Sequence, residues 1–198
     1  MITYRIGSSL YLNITNRCTC DCTFCVRNSP AGLSSGYDLW LDQEPTVDEV
    51  LQDVKKWDIS QLHEFVFCGY GEPMLRTDEV LKICKALKAT YPLQVRINTN
   101  GHGNLINGYD ITPSLKDCVD AISISLNAKN GEDYQSLCKS MYGEKSFQAL
   151  LDFALQCKSY VTHVIVSVVD ILPQKDIEAC RKIAEQIGVG FRVRHYGG

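Results

Sequence analysis

The sequence has no apolar run long enough to cross a bilayer; its longest, such as Val164–Val169, are a fraction of what a transmembrane helix needs. Its opening, MITYRIGSSLYLNITNR, lacks the cationic and apolar regions of a signal peptide, so the protein is expected in the cytoplasm. An excess of positive charge is missing too. With 20 Lys and Arg against 23 Asp and Glu the formal net charge is -3, and the basic residues are scattered rather than striped, so nucleic acid is not indicated as a partner. There are no internal repeats or low-complexity tracts. What remains is an ordinary globular composition, 45% hydrophobic and 22% charged over 198 residues, read as a single domain spanning 1–198.

Cysteine, in contrast, is plentiful. Of 10 cysteines, Cys18, Cys20, Cys22 and Cys25 crowd into one loop while the other six stand alone, a pattern of reduced thiols and one metal site rather than a disulfide framework.

Short β-branched runs alternate with amphipathic helical stretches, which predicts a parallel sheet with crossover helices. Six strands are expected, at Ser9–Thr15, His63–Cys68, Leu93–Asn98, Ala121–Asn127, His163–Asp170 and Gly190–Arg194. Helices are expected after Thr46, Thr77 and Pro173, the last closed by Gly188, with shorter ones over Pro113–Asp117, Glu132–Cys138 and Ser146–Lys158. The irregular stretch Val26–Glu44 is long for a compact domain and reads as a functional loop.

The strand faces separate an open doubly wound sheet from a barrel. Ile122, Ile124 and Leu126 point one way and Ser123, Ser125 and Asn127 the other. The third strand places Arg96, Asn98 and Asn100 on one face, and the sixth does the same with Arg192 and Arg194. Parallel strands buried on both sides are apolar on both faces. One polar face suggests a barrel whose lumen holds a polar ligand.

The loop NRCTCDCTFCVRN begins where the first predicted strand ends, at the carboxyl end of the sheet, where α/β folds place their chemistry. Four thiolates could make a tetrahedral zinc site, although such sites usually pair two ligand knuckles across a longer separation. Alternatively Cys18, Cys22 and Cys25, spaced Cys-x3-Cys-x2-Cys, serve three irons of a cubane and leave the fourth open, with Cys20 as a spacer.

That triad resembles the signature of the radical S-adenosylmethionine (SAM) superfamily, and Phe24 matches the aromatic often found before its third cysteine. Gly69-Tyr70-Gly71-Glu72-Pro73, after the second strand, resembles the glycine-rich motif that holds the amino group of SAM; glycines admit close backbone approach and a carboxylate can accept from an ammonium. Tyr70 replaces a glycine of the commonest form and is expected to contribute through its backbone. INTNG and SISLNA are similar to segments that touch SAM ribose and carboxylate, which makes Asn98, Asn100, Ser125 and Asn127 candidate contacts. VIVSVVD resembles the strand that lines the adenine, pointing to Val166 and Ser167. Arg194, with Arg192, is a candidate for the SAM carboxylate or a substrate anion, a surface role being as well supported.

The resemblance covers nearly the whole chain and implies a partial (β/α)6 TIM-like barrel, the radical SAM core. It further implies a [4Fe-4S] cluster and SAM as cofactors, a one-electron donor such as flavodoxin or ferredoxin, and hydrogen abstraction by a 5'-deoxyadenosyl radical from an unidentified substrate, small molecule or macromolecule. The Val26–Glu44 loop is a candidate cover for that chemistry. In layout the chain is similar to the short radical SAM proteins linked to the TatD nuclease family, and in its minimal size to glycyl-radical-enzyme activases and 7-carboxy-7-deazaguanine synthases. A non-catalytic iron-sulfur electron-transfer or sensor protein is the competing reading; it leaves GYGEP and the polar lumen without a use. Among residues outside the motifs, Asp170 reads as a solvated turn residue, His102 as a surface group and Cys68 as packing, each with a weaker alternative role near the site.

Overall fold

The computed structural model describes residues 1–28 and 36–196. It contains a seven-stranded sheet whose spatial order is the order of the chain. The first strand, β1 (Thr3–Ile6), runs antiparallel to β2 (Ser9–Leu12) through a Gly7-Ser8 turn in which Gly7 has φ 59°, a backbone conformation that glycine adopts without strain. The following strands, β3 (Glu64–Phe67), β4 (Gln94–Thr99), β5 (Ala121–Ser125), β6 (His163–Val169) and β7 (Gly190–Arg194), each add parallel to the one before. β1 and β7 are the two edges, so the sheet is an open, partial TIM-like barrel rather than a closed one.

Among the described residues six α-helices accompany the strands: α1 (Val47–Val54), α2 (Thr77–Thr90), α3 (Gly103–Asn107), α4 (Gly131–Cys138), α5 (Lys145–Cys157) and α6 (Gln174–Ile187). Their starts and stops follow local chemistry. Thr46 and Glu49 form a reciprocal capping box on α1, Asn130 caps α4, and Gly188, at φ 66°, terminates α6. The helices cover one face of the sheet, where Leu10, Leu12, Phe65, Phe67, Ile97, Ile122, Ile124, Val166 and Val168 are buried in the main core with Val80, Leu87, Leu150, Phe153 and Ala184 from the helices.

The other face is the polar one. Ser9, Glu64 and Arg96 are joined across three strands by hydrogen bonds of 2.6 to 2.9 Å, and Arg96 Nη1 donates to Asn98 Oδ1 at 2.7 Å. Farther along, Arg194 of β7 donates to Ser167 of β6 and to Ser125 at the end of β5. The sheet curls around this face: the Arg194 guanidinium is close enough to Cys68, just past β3, to offset part of the upward shift that burial imposes on that thiol. The polar face expected from strand alternation, the lumen side of the sheet, is therefore present.

Several boundaries differ from expectation. The first predicted strand stops at Leu12, because Asn13 turns its side-chain amide to the carbonyls of Met1 and Leu39. The predicted helix Pro113–Asp117 is a 3-10 turn, Thr112–Leu115, and Asp117 has a left-handed φ of 61° that a helix cannot continue through. β1 and α3 were not expected. Of the loop Val26–Glu44, Val26–Asn28 is a 3-10 turn and residues 29–35 lie outside the described residues. The segment from Gly36 onward is tied down: Leu39 is buried against Tyr4 and Tyr70, Asn16 exchanges two hydrogen bonds with the backbone of Leu41, and Glu44 binds Thr15 and Arg17.

Candidate functional site

The cysteine loop leaves the carboxyl end of β2 and is gripped on both sides. On one side it meets the glycine motif that follows β3. The amide of Glu72 donates to Arg17 O at 2.8 Å, and a Cβ on Gly71 would stand 2.4 Å from the carbonyl oxygens of both Thr15 and Arg17. A Cβ on Gly69 would stand 2.0 Å from Asn13 Oδ1. These two glycines are thus required first by the passage of the motif against the exit of β2. On the other side the loop docks on the end of α4, with Asp21 N donating to Cys138 O (3.1 Å), Thr23 N to Leu137 O (2.9 Å) and Met141 N to Thr19 O (2.9 Å). Cys20 adds an isolated antiparallel bridge to Ser140.

This grip divides the four thiols. Cys18, Cys22 and Cys25 are partly exposed, whereas Cys20 is 6% exposed and turned inward. Its Sγ lies 3.9 Å from Tyr134 Oη and 4.0 Å from His102 Nδ1. His102, expected at the surface, has no exposed area, because α4 folds Tyr134 over it. One arrangement of protons satisfies this interior network. Asn100 Nδ2 donates to Thr19 Oγ1 (2.8 Å), the Thr19 hydroxyl to His102 Nδ1 (3.0 Å), His102 Nε2 to Tyr134 Oη (3.1 Å) and Tyr134 to Cys20. Burial lowers the His102 pKa to about 4, which keeps the imidazole neutral as that arrangement needs. Asn100 Nδ2 also approaches Cys18 Sγ at 3.9 Å and Cys20 Sγ at 3.7 Å.

The thiols are all held above their ordinary range. For Cys18 the cause is its contact with Cys20 and then burial, for Cys22 its contact with Cys138 and burial, and for Cys25 burial first. Cys20 is pushed up to about 12, Cys22 and burial outweighing the downward pull of Cys18. Binding a metal here must therefore displace protons. Among the described residues, no three His, Cys, Asp or Glu side chains are gathered closely enough to hold one metal ion. A cubane has different needs, since each thiolate serves its own iron. Three accessible thiols on one loop, with the fourth withdrawn, suit that donor set.

Glu72 is committed differently from a free carboxylate. It is 3% exposed and accepts from Met74 N (3.0 Å), Thr99 Oγ1 (2.7 Å) and Asn100 N (2.7 Å), so it ties the glycine motif to the end of β4. Burial raises its pKa to about 7 despite those donors. The Tyr70 side chain, expected to be idle, is buried and meets Trp40 edge-on at 5.1 Å between ring centroids. Phe24 packs at the margin of the main core.

The remaining predicted contacts sort by strand face. Asn98, Ser125, Asn127, Ser167 and Arg194 belong to the lumen, where Arg194 donates to Ser167 Oγ (3.1 Å), Asn127 Oδ1 (3.3 Å) and Ser125 Oγ (3.5 Å). Val166 does not. It adjoins Ser167 in β6 and so points to the opposite face, fully buried among the helices. Asp170 is no free turn residue either, since it pairs with His195 and accepts from Tyr196 N at 3.0 Å, which anchors the chain after β7.

Thr19, Tyr134 and Cys138 were missed by sequence reasoning. Thr19 lies inside the cysteine motif and its hydroxyl was the available signal. Tyr134 and Cys138 are three-dimensional neighbours only, with Asn127 Nδ2 reaching Cys138 Sγ at 3.8 Å.

A profile of the Radical SAM superfamily matches residues 12–187. Among solved structures, a radical SAM methyltransferase from Sphaerobacter thermophilus is similar over 98% of this chain and 68% of that one, with a TM-score of 0.62 and 14% identity. HydG, a maturase of the [FeFe]-hydrogenase, is similar over 95% of this chain with a TM-score of 0.65 and 16% identity; the chain spans only 42% of its length. At these identities the likeness is one of fold. A search of curated protein sequences finds no match.

Proposed function

The chain belongs to the radical SAM superfamily, and we propose that it is an enzyme that binds a [4Fe-4S] cluster through Cys18, Cys22 and Cys25 and cleaves SAM reductively. When bound, the two cofactors supply an electron and a 5'-deoxyadenosyl radical that takes a hydrogen atom from the substrate, the net reaction being an oxidoreductase or group-modifying one that the substrate decides.

The observation that carries this reading is the joint between the cysteine loop and the glycine motif. The Glu72 N to Arg17 O hydrogen bond and the close passage of Gly71 make the two segments one rigid piece. In this reading Cys20 stays out of the ligand set because its sulfur is spent on the His102–Tyr134 network. Glu72 acts by shape, clamping the motif to β4 so that the backbone of Gly69–Glu72 faces the amino group of SAM. Asn98 and Asn100 at the end of β4, and Ser125 and Asn127 on the lumen face, orient its ribose and carboxylate, with Ser167 beside the adenine and Phe24 beside the cluster. The segment from Gly36 to Glu44, pinned over the β2 exit, restricts water on that side, Trp40 walling the motif at Tyr70. A flavodoxin or ferredoxin delivers the electron. Within the superfamily, the NRCTCDCTFCVRN and GYGEP blocks favour the short TatD-linked proteins.

Anaerobic reconstitution followed by electron paramagnetic resonance of the reduced protein tests this. Adding SAM is expected to change the spectrum and to yield 5'-deoxyadenosine. An unchanged spectrum with no 5'-deoxyadenosine would overturn the proposal.

A further inference from the structure

The chain as a whole is acidic, with a formal net charge of -3, yet its lumen is not. On the strand face away from the helices stand Arg96, Arg192 and Arg194, against one carboxylate, Glu64. Arg96 and Glu64 neutralise each other through two hydrogen bonds, at 2.9 and 2.7 Å. Among the described residues, neither Arg192 nor Arg194 has a carboxylate within ion-pairing distance.

Their donors are also unspent. A guanidinium carries five N–H bonds. Arg194 directs Nε and Nη2 to the neutral oxygens of Ser167, Ser125 and Asn127 and leaves Nη1 without an acceptor among the described residues. Arg192, exposed and in register with Ser167, has no side-chain acceptor among the described residues. The two lie on one face of β7, two residues and so about 7 Å apart, at the carboxyl end of the sheet. Two like charges side by side, with no carboxylate paired to either, oppose folding: Glu64 feels Arg192 but is hydrogen-bonded to Arg96, and burial together with Arg192 pulls the Arg194 pKa down. The arrangement has a use only if something anionic is brought to it.

We propose that Arg192 and the free edge of Arg194 form the binding site for a carboxylate or phosphate group on the substrate, so that the substrate is an anion received in the barrel lumen. This rests on the proposed function only in taking the lumen as the substrate chamber. The neutral hydroxyls of Ser125 and Ser167 hold Arg194 in place without cancelling its charge, which leaves the guanidinium edge oriented for paired N–H to oxygen contacts.

The test uses the reconstituted, SAM-loaded protein and two probes, malonate and inorganic phosphate, titrated by calorimetry. At least one is expected to bind saturably, and the stronger of the two tells carboxylate from phosphate. Arg192→Gln is expected to weaken that binding about tenfold, with Arg192→Lys in between and SAM affinity unaltered. The proposal is overturned if neither probe binds, if Arg192→Gln binds as wild type does, or if that variant instead loses SAM affinity, which would assign the guanidinium to the cofactor. Cluster and SAM loading are read separately by resonance. A protein that binds malonate through Arg192 but never cleaves SAM would sink the proposed function and leave the anion site standing.

Discussion

The imidazole of His102 lies 3.1 Å from the hydroxyl of Tyr134 and 3.0 Å from that of Thr19, wholly enclosed behind the cysteine loop. Close by, Asn100 connects this network to Glu72, its side chain bonding Thr19 and its amide bonding the Glu72 carboxylate. Two buried titratable groups, one normally basic and one acidic, therefore brace the same loop from opposite sides.

Their pH effects oppose each other. The folded pKa of His102, about 4, is below its ordinary 6.5, so its contribution is full above pH 6.5 and is lost as pH falls toward 4. The folded pKa of Glu72, about 7, is above its ordinary 4.5, so its burial costs stability above pH 7 and the cost disappears as pH falls toward 4.5. Each effect is on the order of 3 kcal/mol across that window. Urea unfolding of cluster-free protein at neutral and mildly acidic pH should show His102→Gln gaining relative stability on acidification and Glu72→Gln losing it. Parallel profiles for wild type and both variants would contradict this.

Gly71→Ala should be among the most damaging small substitutions. Its methyl would press on two backbone carbonyls at 2.4 Å, and backbone cannot swing aside, so a stability loss on the order of 3 kcal/mol is expected together with poor cluster retention. Gly69→Ala meets mainly the Asn13 side chain. Adding Asn13→Ala should therefore rescue Gly69→Ala in part and leave Gly71→Ala unchanged. Equal rescue of both, by thermal melts, would mean that the obstacle at Gly71 is not backbone.

Iron content is expected to distinguish the four cysteines of the loop. After anaerobic reconstitution, Cys20→Ala should keep its iron and sulfide with a modest loss of stability, about 1–2 kcal/mol for an emptied buried site. Cys18→Ala, Cys22→Ala and Cys25→Ala should each lose the visible cluster absorption. Loss on Cys20→Ala with retention on Cys22→Ala would mean a different ligand register.

Much of the architecture was legible because each parallel strand carries its own alternation, as in Ile122, Ser123, Ile124 and Ser125. β1 was not, since four residues interrupted by Arg5 show too little pattern to separate from a loop. Val166 and Ser167 were assigned to one lining although adjacent strand residues point apart, an error that periodicity itself corrects. The interior of the site was less visible. Nothing near His102 in the chain announces that Tyr134 will cover it, and the three donors that engage Glu72 come from its own turn and from the end of another strand. A motif reports which residues meet a segment's needs; it does not report which of those needs are met by the protein's own backbone.

The docking of Asp21 and Thr23 on the carbonyls of Cys138 and Leu137 has a consequence for synthesis. Strand order equals chain order, so each strand emerging from the ribosome finds its neighbour already made. The cysteine loop must wait longer, because the helix end that clasps it is translated long afterwards. Until then its thiols are unguarded, and under the proposed function cluster delivery follows the folding of α4.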